Sequence, residues 1–278
     1  MENFLYYLFI FFIFLVKKSP QFLREYLKRG VAFLLYILPT KRKKIVQKNI
    51  EILNGKYDKE IEKRFYYNFV DNLFDMVDNF DISKEELAKR VEFKNKEMVD
   101  KVLKESKNAI FITAHYGNWE LTPTIMAAFV TPIDAVVRKL TLKRFNDLIE
   151  RSRTRFGVTL YDRREGVKNL IKTLKSKKSL GILVDQYPGD NKGVEVSFFG
   201  QNIRHTDAAM VLAKKFNLPV VITFLEKKDE KYIMSFVDSF YVDDIKEGVK
   251  RQVRVIEEQI KKDISKWYLF HNRFKKSE

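Results

Sequence analysis

His115 and Glu120 stand five residues apart in the stretch Asn-Ala-Ile-Phe-Ile-Thr-Ala-His-Tyr-Gly-Asn-Trp-Glu, residues 108–120. An imidazole titrates in the physiological range, and it serves as a general base when a nearby acid fixes its tautomer and stabilises its charged form. Glu120 is close enough in sequence to be that acid. The apolar run before His115 has strand length and stops at His-Tyr-Gly-Asn, which reads as a buried strand delivering the ring to a turn at the edge of a sheet. That rim is where α/β proteins place their chemistry.

The turn has two possible helix starts. Asn118 can cap a helix beginning at Trp119, with Glu120 in the first turn where the helix dipole favours a carboxylate. Alternatively Thr122 caps and Pro123 takes the first helical position.

The surrounding elements must bring further side chains to the same place. Apolar runs at 108–114, 133–137, 157–161, 180–184 and 219–225 read as strands, with helical patterns near 143–156, 165–178 and 205–217 between them. Helices also fill 57–104 and 246–268, and Tyr232–Val237 reads as an antiparallel edge strand. This alternation predicts an α/β fold with a mixed, mostly parallel central sheet flanked by helices. Carboxyl ends of parallel strands share one rim, so His115 is joined there by Arg138, by Asp162-Arg163-Arg164 and by Asp185-Gln186. Arg153, in an intervening helix, adds a cation. A cationic pocket around a His-Glu pair suits phosphate-bearing substrates and transition-state oxyanions.

Composition narrows the chemistry. The 278 residues hold no Cys and three His, which excludes disulfides, thiolate zinc sites and a cysteine nucleophile and argues against a histidine-rich metal centre. No metal or cofactor is expected. A formal charge of +16 suits an acidic partner. No basic motif with interleaved aromatics points to nucleic acid.

The amino terminus is a second strong signal. Phe4 to Val16 is an unbroken apolar run followed by Lys17-Lys18. As a helix it covers roughly 20 Å, short of a hydrocarbon core of about 30 Å, so it spans only with help from flanking residues or local thinning. Glu2 stands where a signal peptide carries its basic region, which favours a retained anchor, and the basic residues on its carboxyl side place the remainder in the cytoplasm. Pro20 to Pro39 reads either as a helix lying in the membrane interface or as an amphipathic helix docked on the domain. The one boundary falls near residue 40. Residues 1–40 form the membrane anchor and interfacial helix, and residues 41–278 the catalytic domain.

His-x4-Glu within Ala-His-Tyr-Gly-Asn-Trp-Glu resembles the His-x4-Asp/Glu signature of glycerolipid acyltransferases, and in this form it is most similar to the lipid A biosynthesis lauroyl/myristoyl acyltransferases. Val137-Arg138, Arg153-Thr-Arg-Phe-Gly157, Asp185-Gln186, Gly193-Val-Glu-Val-Ser-Phe-Phe-Gly200 with Thr206, and Trp267-Tyr-Leu-Phe-His-Asn-Arg-Phe-Lys275 look like further landmarks of that family, in order. Asn49 after a basic cluster fits as well. The resemblance covers nearly the whole chain.

It implies a glycerolipid acyltransferase-like fold with an N-terminal membrane helix. It also implies transfer of a fatty acyl chain from acyl carrier protein to a hydroxyl of a lipid A precursor, at the cytoplasmic face of a bacterial inner membrane. By position, His115 is the catalytic base and Glu120 its partner, with Arg153, Asp185 and Gln186 in the site and Arg138 and Arg163 on the substrate. The residues after Arg138 lack the family's usual proline, and Tyr161-Asp-Arg-Arg164 aligns loosely. An acyltransferase acting on another acceptor, such as a lysophospholipid or a glycosylated phosphoinositide, and drawing on acyl-CoA, is the alternative. With no Cys and no Gly-x-Ser-x-Gly, direct transfer without an acyl-enzyme is the simpler chemistry.

Overall fold

A computed structural model describes residues 2–137, 142–162, 167–189 and 192–275. Its strands are β1 (Val91–Lys94), β2 (Ile110–Thr113), β3 (Ile133–Val137), β4 (Thr159–Asp162), β5 (Ser179–Leu183), β6 (Val194–Phe198), β7 (Gln201–His205), β8 (Val220–Lys228) and β9 (Lys231–Phe240). Seven of them form one sheet in the order β1-β9-β8-β2-β5-β3-β4, and β6 pairs with β7 in a separate antiparallel hairpin. Every neighbouring pair in the large sheet is parallel except β8 and β9. That exception follows from chain length: only Asp229 and Glu230 connect the two strands, Asp229 takes a left-handed φ of 56°, and so short a link can only reverse the chain.

Period-two alternation sends the central strands' side chains to both faces. Ile110, Ile112, Val220, Ile222 and Phe224 enter one hydrophobic cluster, while Phe111, Val221 and Leu225 enter the other. Helices cover both layers: α1 (Glu2–Lys18), α2 (Gln21–Ile37), α3 (Lys41–Asn54), α4 (Lys59–Asp78), α5 (Lys84–Arg90), α6 (Lys96–Ser106), α7 (Thr122–Phe129), α8 (Lys143–Arg153), α9 (Val167–Lys175), α10 (Ala208–Phe216) and α11 (Ile245–Lys262).

The expected α/β architecture and its main strands are present, with two differences. The expected helical block 57–104 is interrupted by β1, which pairs outside β9, so β9 is an interior strand and not the edge. Its four residues, Val-Glu-Phe-Lys, are too few to register as a period against two flanking helices. The hairpin β6–β7 is the second addition.

The N-terminal helices pack on α4 in an unusual sense. On α2, Arg24 pairs with Asp78 and Lys28 with Asp71, while Ala32 is buried. Phe22, Tyr26, Phe33 and Ile37, at helical spacing on the other side, are exposed, Phe22 at 67% and Tyr26 at 72%. Arg24 and Lys28 thus point into the protein while these four apolar side chains point out. Helix α1 buries Val16 and continues the exposed apolar surface with Tyr7, Phe11 and Phe14. Among the described residues no helix is long and apolar enough to cross a membrane. The 17-residue α1 therefore gives no support to the expected N-terminal membrane helix as a spanning element.

Candidate active site

Parallel register builds the site. Thr113 of β2 lies opposite Leu183 of β5, so the residues two places beyond each, His115 and Asp185, emerge side by side at the carboxyl rim. Asp185 Oδ1 lies 2.7 Å from His115 Nδ1, and Oδ2 accepts the His115 backbone N–H at 3.0 Å. Trp267 Nε1–H donates to the same Oδ2 at 2.7 Å. The imidazole partner is therefore Asp185, not the expected Glu120. The Asp185 contact fixes the proton on Nδ1 of the neutral ring and leaves Nε2 as the acceptor, where the Gln186 side-chain amide nitrogen stands 3.2 Å away.

The electrostatics agree with that arrangement. Burial opposes a charged imidazole, but the charge and hydrogen bond of Asp185, with a smaller contribution from Glu120, outweigh it and raise the His115 pKa above 6.5. Burial likewise opposes ionisation of Asp185, which His115 and the Trp267 N–H overcome, holding its carboxyl below the usual range. The His115 side chain keeps 17% of its surface open. It packs against Trp119 and Tyr268, at ring-centroid distances of 5.6 and 6.0 Å.

Glu120 has a different partner. Arg153, the last residue of α8, donates to Glu120 Oε2 from Nε at 3.0 Å and from Nη2 at 2.7 Å. Of the two expected helix starts the one at Trp119 is used, with Glu120 in its first turn, but as a 3-10 turn and without the expected side-chain cap. Residues Trp119–Leu121 form a single 3-10 turn that leads into α7, Thr122 is the first residue of α7 and not its cap, and Asn118 precedes the turn with its carbonyl accepting the Leu121 N–H at 3.0 Å but makes no side-chain cap. The Asn118 side-chain amide donates instead to Asp75 of α4 at 2.7 Å.

The structure thus brings together His115, Glu120, Arg153, Asp185 and Gln186. Asp162 ends β4 at the far edge of the sheet, and Arg138, Arg163 and Arg164 lie outside the described residues. Trp267 and Tyr268 join the site without having been assigned a role there. They arrive through long-range contacts, including the Tyr268 N–H to the His115 carbonyl at 2.8 Å, for which the sequence carries no local signal. A shallow recess is lined by Phe65, Phe69, Trp267 and by Trp119 and Tyr268, the two rings that pack on His115, among others. Among the described residues no group of three or more His, Asp or Glu is placed to hold a metal ion.

A base with its acceptor nitrogen at a partly open rim, backed by a buried carboxylate and flanked by an Arg-Glu pair, can deprotonate a hydroxyl and meet developing negative charge. Among protein families, the model described as bacterial lipid A biosynthesis acyltransferase matches residues 1–276. No curated protein matches the chain.

Proposed function

The chain belongs to the bacterial lipid A biosynthesis acyltransferase family and is an acyltransferase, and from that premise we propose that it moves a fatty acyl chain from acyl carrier protein to a hydroxyl of a lipid A precursor at the cytoplasmic face of the inner membrane. His115 Nε2 takes the proton of the acceptor hydroxyl as its oxygen attacks the thioester carbonyl. The tetrahedral intermediate collapses to the ester, and the imidazolium returns the proton to the departing thiolate. Asp185 holds the ring and stabilises its charged form; Glu120 adds a second negative charge. Arg153 orients Glu120 and contributes positive charge beside the developing oxyanion. Arg138 and Arg163 serve the acceptor's phosphates, and Gln186 lies on Nε2 until the hydroxyl arrives.

The observation that carries this reading is the His115–Asp185 contact, which leaves Nε2 as the base. The outward apolar faces of α1 and α2 supply the membrane contact, because exposed apolar surface of this extent marks an interaction site. Lys41 and Lys44, exposed in the first turn of α3, add charge for anionic head groups. Residues 1–40 act as the interfacial anchor and residues 41–278 as the catalytic domain.

Replacing His115 with Ala in the full-length protein tests the chemistry. The expected result is loss of acyl transfer from acyl carrier protein thioester to the precursor, with vesicle binding unchanged; retained transfer overturns the assignment. Intact-mass analysis of lipid A from cells with and without the gene tests the acceptor, and unchanged acylation overturns it.

A further inference from the structure

Helix α4 reaches the loop between His115 and Glu120 from beneath. Asp75, 2% exposed, receives the Asn118 side-chain amide on Oδ2 at 2.7 Å and the Lys227 ammonium on Oδ1 at 2.6 Å. One helical turn earlier, Asn72 donates to the Gly117 carbonyl at 2.9 Å. The same loop is tied from its other side, where the Asn118 backbone N–H donates to the Leu225 carbonyl at 2.8 Å and the Gly117 N–H to the Lys266 carbonyl at 3.1 Å. Asn118 is three residues after the proposed base and two before Glu120. Its side chain is itself buried and points away from the acyl-transfer rim, toward α4.

Burying a carboxylate is costly unless every oxygen is matched, and a surface position for this helix would require none of it. The Asp75 pair is matched to one loop amide and one lysine, which fixes the loop in a single register. We propose that Asp75 and Asn72 are positioning residues for acyl transfer, anchoring the His115–Glu120 loop through Asn118 and Gly117 so that Nε2 and the Glu120–Arg153 pair face one substrate. This rests on His115 being the base. Lys227 also lies 3.9 Å from Asp71, which pairs with Lys28 of α2, so the anchor continues into the helix whose apolar face is exposed.

The test uses the full-length protein and thiol release from an acyl carrier protein thioester in the presence of a lipid A precursor. Asp75→Asn and Asn118→Ala each lower kcat by about 10- to 100-fold, the scale of a misplaced reacting group, while KM for the thioester stays within about twofold. The double variant loses no more kcat than the poorer single variant, because the Asn118–Asp75 contact that both remove is the one that holds the loop, while the Lys227 pair lost only in Asp75→Asn acts on stability. Asn72→Ala, which leaves the buried ion pair intact, gives a smaller kcat loss in the same sense and serves if Asp75→Asn does not fold. Unchanged kcat in variants with lowered thermal midpoints overturns the proposal, as do losses that multiply in the double variant. His115→Ala run alongside separates the two claims. If it retains activity, the base assignment fails; if it is inactive while the anchor variants are not, only the positioning proposal fails.

Discussion

Both oxygens of Asp185 reach His115, one at the ring Nδ1 at 2.7 Å and the other at the backbone N–H at 3.0 Å. A single carboxylate therefore sets the ring's tautomer, its orientation and its basicity. His115 must be neutral to act as a base, and its pKa is raised above 6.5, so kcat/KM climbs with pH along an acid limb centred above 6.5. Asp185→Asn removes the two largest contributions that raise this pKa and leaves burial opposed only by Glu120. The limb then moves to lower pH, and the plateau rate falls by up to about 10²- to 10⁴-fold, the range of general-base help. A pH-rate profile of both proteins reads this directly, and an unmoved limb contradicts it.

Glu120 predicts a graded version of the same experiment. It raises the His115 pKa less than Asp185 does, and its own position depends on two donors from Arg153. Glu120→Gln should shift the acid limb in the same direction as Asp185→Asn but by less. Arg153→Ala, which frees the carboxylate, should lower kcat with a smaller shift. A limb shift in Glu120→Gln equal to that of Asp185→Asn would reverse the assigned partners.

Much of this site was legible in the sequence because strands in a parallel sheet end on one rim. The runs ending at His115 and Asp185 predicted their proximity, and the helix ending at Arg153 predicted a cation nearby. Pairing was not legible. Sequence spacing favoured Glu120 as the imidazole's acid, whereas the register of β2 against β5 gives that place to a residue 70 positions away. Local propensity found a start at Trp119 but not the role of Asn118, whose side chain is recruited by buried Asp75 and is lost as a cap. Strand β1 escaped notice for a related reason: its four residues form only because β9 offers them an open edge.

Gly117 makes the geometry of that turn testable by stability. Its φ is +60°, and a Cβ there would meet the Leu225 carbonyl oxygen at 2.3 Å. Gly117→Ala therefore combines a left-handed backbone with a backbone clash and should cost about 2 to 4 kcal/mol, along with most of the activity. Gly55 is the control: its φ is +77° but nothing lies within 4 Å, so Gly55→Ala should cost only about 1 kcal/mol. Chemical denaturation of the two variants separates strain from clash.

His205 sets an acid limit on the fold. Burial, and next the Arg273 guanidinium, hold its pKa down to about 3 against an ordinary 6.5. Between those values the unfolded chain binds a proton that the folded chain does not, so stability falls as pH drops below 6.5. The slope contributed by this one group is about 1.4 kcal/mol per pH unit. His205→Gln should flatten the stability-pH curve by that amount between pH 4 and 6, and an unchanged slope would contradict the burial of a neutral ring.

The inverted polarity of α2 gives the last prediction. Arg24 and Lys28 are spent on Asp78 and Asp71, whereas Phe22, Tyr26 and Phe33 lie mostly exposed and add little to the packing beneath them. Replacing all three with Ser should leave the thermal midpoint nearly unchanged or raise it, because these side chains face water in the folded state as they do in the unfolded one. Partition into anionic vesicles should behave oppositely. Each substitution removes about 1 to 2 kcal/mol of transfer free energy, so the triple variant should bind at least about 100-fold more weakly. Substituting the exposed Lys41 and Lys44 should weaken binding only to anionic vesicles, and that loss should fade as salt is raised. If the triple variant instead bound vesicles normally and lost stability, the apolar face would be a packing surface and the anchor would have to lie elsewhere.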